Sequence, residues 1–388
     1  MKNMKKLRVL HLIWSMGAGG AQQIVLNYLR DFQNDPDIDL KLCVYTGKTG
    51  SKYDQEIEKN QYNVQYLGNP QTCFKIPYFK RFFQTPVTKK NWRRAIDENS
   101  PDIVHVHISS LLTKILDAVV DLNIPVRFDT LHSDPRRYGG KDLRCIRRAF
   151  DKGGFVPLCV TKEQVALARE HYGNFDYEVI PNGVDIDALK KEIVSKKTAR
   201  RGLGLSSEDF VVLAVGRINP IKNFSLLIDA FALLQKKNPR GLLVFAGSSV
   251  PREKAKLVRK IESYGISDRV RFLGSLSNVV PLYCAADVLA VTSISESFSL
   301  VTLEAQICGT RCVISKGVPS EVIVSDVVRK MDAKDDADAW AEALQDTEYK
   351  GAKVSDVEEF EVHAVSKKLK NLYLKKWNDY MERANANQ

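Results

Sequence analysis

What the chain lacks narrows its class first. Its seven cysteines (Cys43, Cys73, Cys145, Cys159, Cys284, Cys308 and Cys312) are scattered, odd in number, and never spaced Cys-x-x-Cys. A disulfide framework and a cysteine zinc site are therefore not indicated, and a reducing cytosol fits best. No apolar run approaches the ~18 residues that a membrane span requires. The first residues, Lys5 and Lys6 followed by Val9-Leu10-His11-Leu12-Ile13-Trp14, imitate a secretion signal. That stretch is short, carries His11, and runs into an amphipathic helical pattern over 21–32, so it reads as a first β-strand. Histidine is scarce, with six in all, and His105 and His107 alternate on one strand face. Packed or hydrogen-bonded rings explain them better than metal ligation. Asp-x-Asp triplets occur at Asp37/Asp39, Asp185/Asp187 and Asp336/Asp338, away from the other motifs, so no metal site is expected.

Positive charge is in excess. The 388 residues carry a formal net charge of +11 and are 44% hydrophobic, ordinary for filled globular cores. Between positions 75 and 148, fifteen Lys or Arg stand against eight Asp or Glu, which leaves +7 in that stretch. Phe74, Tyr78, Phe79, Phe82, Phe83 and Trp92 interleave with the basic residues. That mixture suits an anionic membrane surface or an anionic acceptor. Nucleic acid has charge alone in its favour, since no recognition motif accompanies it.

Apolar strand-like runs at 8–14, 40–45, 64–67, 103–108, 126–129, 154–160 and 177–180 each precede a helical pattern. A turn cluster, Pro181-Asn-Gly-Val-Asp185, and a basic helical stretch over 189–203 follow. The alternation restarts at 210–215, 241–246, 270–273, 288–292 and 311–315. Two doubly wound α/β domains of Rossmann type, facing each other across a cleft, are the expectation. The boundaries fall at 1–181 (acceptor side) and 182–361 (nucleotide sugar). A last helix over 362–388 carries the apolar face Val365, Leu369, Leu372, Tyr373 and Trp377.

Four constellations carry chemistry. Ser295 to Gly309 places Glu296 in a loop after a strand and Glu304 about two turns away from it on the following helix, 300–307, whose polar N-terminus is Ser297 or Ser299. Such helix starts offer free amides and a positive dipole end to a diphosphate, and the two acids can accept from sugar hydroxyls. Arg217 and Lys222 lie in a turn after the first strand of the second half, suited to a diphosphate leaving group. Met16-Gly-Ala-Gly-Gly-Ala-Gln22 follows the first strand, where glycines allow close approach of a ligand. Gln22 stands where a dinucleotide fingerprint has its third glycine, and the second strand ends in Val44-Tyr45-Thr46 without an acid, so a nicotinamide or flavin enzyme is disfavoured. His132 follows a strand of the first half and belongs at its carboxyl edge.

These residues together resemble the retaining glycosyltransferases of family 4, which have the GT-B fold. The likeness runs from Gly17–Gln22 through Ile180-Pro-Asn-Gly-Val-Asp185, Gly216-Arg217 and Lys222 to Glu296, Glu304 and Gln306, and covers nearly the whole chain. The Glu-Ala-Gln ending and Val318-Pro-Ser-Glu-Val322 are most similar to bacterial enzymes of capsule and exopolysaccharide synthesis. The resemblance implies that Arg217 and Lys222 bind the donor diphosphate and that Glu304 holds the ribose. It further implies that Glu296 and Ser299 contact the donor and that the amides of Leu300 and Val301 take the phosphates. Gly19 and Gly20 would line the donor site from the first domain, with His132 near the anomeric centre and the last helix packing back on that domain. Ser297 and Ser299 replace glycines common in the family, which bears on the choice of sugar. Implied partners are a nucleotide sugar, expected to be UDP-linked, and a glycan or polyprenyl-linked acceptor. No cofactor or metal is implied, and the place of work is the cytoplasm or the inner membrane face. Two other classes fit parts of the chain: a two-domain sugar-nucleotide-binding or regulatory protein with weak catalysis, and a nucleic-acid-binding protein.

Overall fold

The structure, a computed structural model, describes residues 5–17, 19–69, 78–332, 335–346, 354–355 and 357–386, with side chains in 78–87 outside the description. The chain forms two compact units, Met1–Gly183 with Val362–Gln388, and Val184–Glu361.

The first unit holds seven parallel strands: β1 (Leu7–Ile13), β2 (Ile38–Thr46), β3 (Val64–Asn69), β4 (Ile103–His107), β5 (Val126–Thr130), β6 (Phe155–Cys159) and β7 (Glu178–Val179), in the order β3-β2-β1-β4-β5-β6-β7. The second holds six: β8 (Phe210–Val215), β9 (Gly241–Ala246), β10 (Val270–Phe272), β11 (Val288–Val291), β12 (Cys312–Ser315) and β13 (Val328–Met331), in the order β10-β9-β8-β11-β12-β13. Every pairing is parallel. Central strands such as β9, Gly-Leu-Leu-Val-Phe-Ala, are buried along their whole length because helices cover both faces. Both sheets are therefore Rossmann-like. Strand order reverses between β1 and β4 in one sheet and between β8 and β11 in the other, the switch points beside which ligands of open α/β sheets bind.

Three details depart from expectation. The basic stretch over 189–203 is two short helices, Ile186–Lys191 and Lys196–Gly202, the second started by Ser195, whose side chain accepts from the Thr198 amide. β13 has no apolar run to announce it, since Val328-Arg-Lys-Met331 carries two cations on an edge strand. Trp92, read as part of an exposed basic-aromatic face, is fully buried and stacks near Tyr45 at a ring distance of 6.1 Å. Burial of so large an indole outweighs the charges around it. Phe74 lies outside the described residues, as do the side chains of Tyr78, Phe79, Phe82 and Phe83. Among the described residues no helix is long and apolar enough to cross a membrane.

Helix Val362–Ala386 belongs to the first unit and buries Val365, Leu369, Leu372 and Tyr373 there, while Trp377 is half-buried and stacks on Tyr380.

Candidate active site

In the second unit the site grows from the carboxyl ends of β8 and β11. After β8, Gly216 takes φ 147°, and a Cβ there would come within 3.1 Å of the Lys222 side chain. The glycine thus lets the lysine stem lie against the backbone. Arg217 is exposed in the same loop. A short 3-10 turn, Pro220–Lys222, follows, with Asn219 accepting from the Lys222 amide at 3.2 Å. Lys222 Nζ then donates to Glu296 Oε1 at 2.6 Å, and both side chains are largely shielded, at 17% and 15% exposure. Ser293 Oγ donates to the same oxygen at 2.6 Å, while the Glu296 amide donates to the Gly317 carbonyl at 2.8 Å. The loop that carries Glu296 is tied to the lysine loop twice more. The Ile294 amide donates to the Ile221 carbonyl at 2.8 Å, and Thr292 Oγ1 to the Lys222 carbonyl at 2.8 Å. A cation and a carboxylate from distant parts of the chain are therefore held as one unit.

Helix Leu300–Ile307 begins directly beyond. Leu, Glu, Ala and Gln favour it, and Gly309 at φ 76° follows its end. Its first residue is preceded by Ser299 at φ 87°, a left-handed conformation that costs a non-glycine residue about 1 kcal/mol or more. The Ser299 hydroxyl pairs with Thr302 Oγ1 at 2.7 Å and caps no amide of the helix. The amides of Leu300 and Val301 lie in the first turn, where no helical carbonyl can reach them. Glu304, one turn further on, accepts from Tyr283 Oη at 2.8 Å.

In the first unit, the loop after β1 is built from its own polar groups. The Gly17 amide donates to Ser15 Oγ at 3.0 Å, Ser51 Oγ to the Met16 carbonyl at 2.6 Å, and Tyr53 Oη to the Gly19 carbonyl at 3.3 Å. Helix Gly20–Phe32 starts there, with Gly19 extended before it and no side-chain cap. Beyond β4, Ile108 adopts φ 86°, a true outlier for a β-branched residue. His132 follows β5 and is half-buried, its loop held by Gln164 Nε2 donating to the carbonyls of Leu131 at 2.8 Å and Ser133 at 3.2 Å.

His132 does not stand alone. Its Nε2 shares a 3.0 Å hydrogen bond with His107 Nδ1, whose Nε2 shares one of 3.1 Å with His11 Nδ1. His11 Nε2 meets Tyr373 Oη at 2.8 Å, Tyr373 Oη also meets His105 Nδ1, and His105 Nε2 meets Thr130 Oγ1 at 2.6 Å. Burial pushes His132 down to about 4 and His11 to about 3, and holds His105 and His107 well below the usual histidine range. The ligand atoms of His11, His105 and His107 lie within 4.8 Å of one another, close enough in principle to share an ion. The hydrogen bonds already engage both nitrogens of each ring, so the residues present are satisfied without one. The strand alternation of His105 and His107 was visible in the sequence. Their union with His11, Thr130 and Tyr373 was not, although His11 is a polar residue in an apolar strand and pairs in register with His105.

With this geometry in place, comparison with known proteins decides the family. Residues 18–188 match Glycosyltransferase Family 4, and residues 195–358 match Glycosyl transferases group 1. The chain is a glycosyltransferase of the GT-B fold. EpsF of Bacillus subtilis is 25% identical over 353 residues, covering 88% of both proteins. The D-inositol 3-phosphate glycosyltransferase of Actinosynnema mirum is 39% identical over 180 residues, covering 43% of this chain and 42% of that protein. Among solved structures, Anabaena HepE in complex with UDP and glucose superposes with a TM-score of 0.78 at 20% identity, covering 95% of this chain and 99% of that one. Sucrose-phosphate synthase from Thermosynechococcus elongatus gives a TM-score of 0.76 at 18% identity, covering 96% of this glycosyltransferase and all of its own chain.

Proposed function

We propose that this glycosyltransferase moves a sugar from a UDP-linked donor to a hydroxyl of a glycan or lipid-linked acceptor, with retention of configuration, in cell-surface polysaccharide assembly. The observation that carries the reading is the Lys222–Glu296 pair at the β8/β11 switch point, beside Arg217 and the uncapped start of helix Leu300–Ile307. A departing diphosphate needs preorganised positive charge, and Lys222, Arg217 and the amides of Leu300 and Val301 supply it without a metal ion. Glu296 keeps Lys222 in place and offers an acceptor to the sugar. Glu304, oriented by Tyr283, offers one to the ribose. Gly19 and Gly20 leave backbone open to the donor in the first unit, and His132 meets the transferred sugar. No side chain is assigned as nucleophile, and the leaving phosphate itself takes the acceptor proton. UDP is favoured over other nucleotides by HepE, whose complex holds UDP and glucose, and polysaccharide assembly by the resemblance of Glu304-Ala-Gln306 and Val318-Pro-Ser-Glu-Val322 to bacterial enzymes of that class.

The test is a panel of nucleotide sugars, scored by thermal stabilisation and by transfer, since ligand binding raises apparent stability. Lys222→Ala and Arg217→Ala are each expected to weaken UDP binding and to lower transfer at least ~100-fold, the scale of a lost electrostatic stabiliser. Wild-type turnover in both variants rules the assignment out. Transfer is expected to continue in excess EDTA, and its loss with rescue by manganese or magnesium would reveal a metal requirement.

A further inference from the structure

The hydrogen-bonded chain behind His132 has a direction. It links six groups, Thr130, His105, Tyr373, His11, His107 and His132, through five contacts. A neutral imidazole has one N–H and one bare nitrogen, and each hydroxyl has one hydrogen to give. One proton therefore serves each contact, and fixing the sense of any one contact fixes them all. In one sense Thr130 donates to His105, His105 Nδ1–H to Tyr373, Tyr373 to His11, His11 Nδ1–H to His107, and His107 Nδ1–H to His132 Nε2. In the other sense every proton runs backwards, from His132 Nε2–H to Thr130. The backward sense strands the Thr130 hydroxyl hydrogen. Thr130 is 6% exposed, and its hydroxyl has no other partner among the described residues. A buried donor without an acceptor is costly, so the forward sense wins.

We propose that Thr130, His105, Tyr373, His11 and His107 are positioning residues that lock His132 as the neutral Nδ1–H tautomer, presenting a hydrogen-bond donor to the sugar instead of a base. The chain crosses β1, β4 and β5 and is bridged at its middle by Tyr373 of helix Val362–Ala386, so the last helix takes part in setting the state of a residue at the strand edge. Nδ1 of His132 has no partner among the described residues and is the nitrogen left to meet a ligand. In the ordinary pattern the hydrogen bond at one ring nitrogen dictates what the other can do, and here that control is relayed over five neighbours. The proposal rests on the reading of His132 as the residue that meets the sugar.

The experiment uses the full-length protein labelled with nitrogen-15 at histidine, whose six rings can be assigned one by one by substitution. Long-range proton–nitrogen correlation at neutral pH separates Nδ1–H from Nε2–H rings. His132, His107, His11 and His105 are all expected as Nδ1–H. Thr130→Val keeps the shape but removes the terminal donor, so both senses leave one nitrogen of His105 unsatisfied and become comparable. His132 should then show a mixture of tautomers, and kcat/KM for transfer should fall with the lost Nδ1–H fraction, ~2-fold at equal populations, because only that fraction is competent. Thr130→Ser should restore both the single tautomer and kcat/KM. Tyr373→Phe should give the same mixture by cutting the chain in the middle. An Nε2–H ring at His132 in the unmodified protein, or a tautomer indifferent to Thr130→Val and Tyr373→Phe, overturns the relay. So does stoichiometric zinc bound by His11, His105 and His107 in the purified protein. Wild-type transfer by His132→Ala would instead overturn the reading of His132 itself, whatever the tautomers show.

Discussion

Two acids show how completely surroundings decide what a carboxyl group does. Glu296 is shielded but receives Lys222 Nζ and Ser293 Oγ on one oxygen, so its charge is matched where it stands. Asp129, on β5, is fully buried; its oxygens make no hydrogen bond of ordinary geometry among the described residues, and the nearby Ser109 hydroxyl offsets only part of the cost of burying its charge. Burial therefore pushes its carboxyl up to about 8, and it is protonated at neutral pH. The sign follows from linkage. A carboxyl whose folded value lies above its unfolded value of about 4 contributes fully below that pH, and its contribution is lost as pH rises towards 8. Asp129→Asn keeps the neutral shape and removes the proton. The variant is expected to match the parent below about pH 4 and, above that, to be more stable by a margin that grows by ~1.4 kcal/mol per pH unit towards pH 8. Urea unfolding of both proteins across that range checks it. A constant difference at every pH would mean that Asp129 is ionised in the fold.

At the scale of elements, backbone contacts set the site as firmly as side chains do. Gly247 follows β9 at φ 145°, and a Cβ there would lie 2.1 Å from the Gly216 carbonyl oxygen, which no neighbour can yield. Gly247→Ala should therefore push apart the ends of β8 and β9, cost about 2–4 kcal/mol, and displace the loop bearing Arg217 and Lys222. Thermal unfolding together with UDP binding reports it, and UDP affinity equal to the parent's would show that the loop absorbs the change. The buried histidines, His11 on β1 and His132 after β5, give the opposite pH sign to Asp129. Burial holds His11 at about 3 and His132 at about 4, so their stabilisation is present above ~6.5 and is lost as pH falls towards those values. Strands, order of elements and helix Leu300–Ile307 were legible in the sequence because apolar runs and glycine turns are local signals. β13 was not, for want of an apolar run. The histidine chain was not either, because its members come from β1, β4, the end of β5 and a helix more than two hundred residues on, and only the parallel register of β1 with β4 brings His11 beside His105. Tyr283 and Ser293, which orient Glu304 and Glu296, escaped for the same reason of distance in sequence or lack of a motif.

For the whole molecule, the open matter is where a net charge of +11 takes it. The basic stretch of the first unit was read as a membrane-facing surface with aromatic anchors, and Trp92 is removed from that list by its burial. Much of the charge is also answered locally. Lys89 pairs with Asp117 at 2.9 Å, Arg93 with Asp121 at 2.7 Å, Arg94 with Glu98 at 2.6 Å and Arg148 with Asp117 at 3.3 Å. Such exposed pairs are worth only about 0–1 kcal/mol, so an anionic headgroup can compete for the cations, but each acid still subtracts from the field that headgroups meet. We expect more protein to sediment with anionic vesicles than with neutral ones at low salt, and the excess to vanish as salt rises and the screening length shrinks towards 8 Å at ~0.15 M. Attraction of ~1 kcal/mol per Lys or Arg near the surface sets the scale. Neutralising Lys89, Lys90, Arg93 and Arg94 should lower the bound fraction. Asp117→Asn and Asp121→Asn should raise it, because they release Lys89, Arg148 and Arg93 without adding a cation. That rise separates a surface whose charge is held in check by its own acids from one that binds through overall charge, where two lost acids among the forty-seven in the chain would matter little wherever they lay. Equal sedimentation with anionic and neutral vesicles would end the membrane proposal and leave sugar transfer to a soluble acceptor as the reading of the same site.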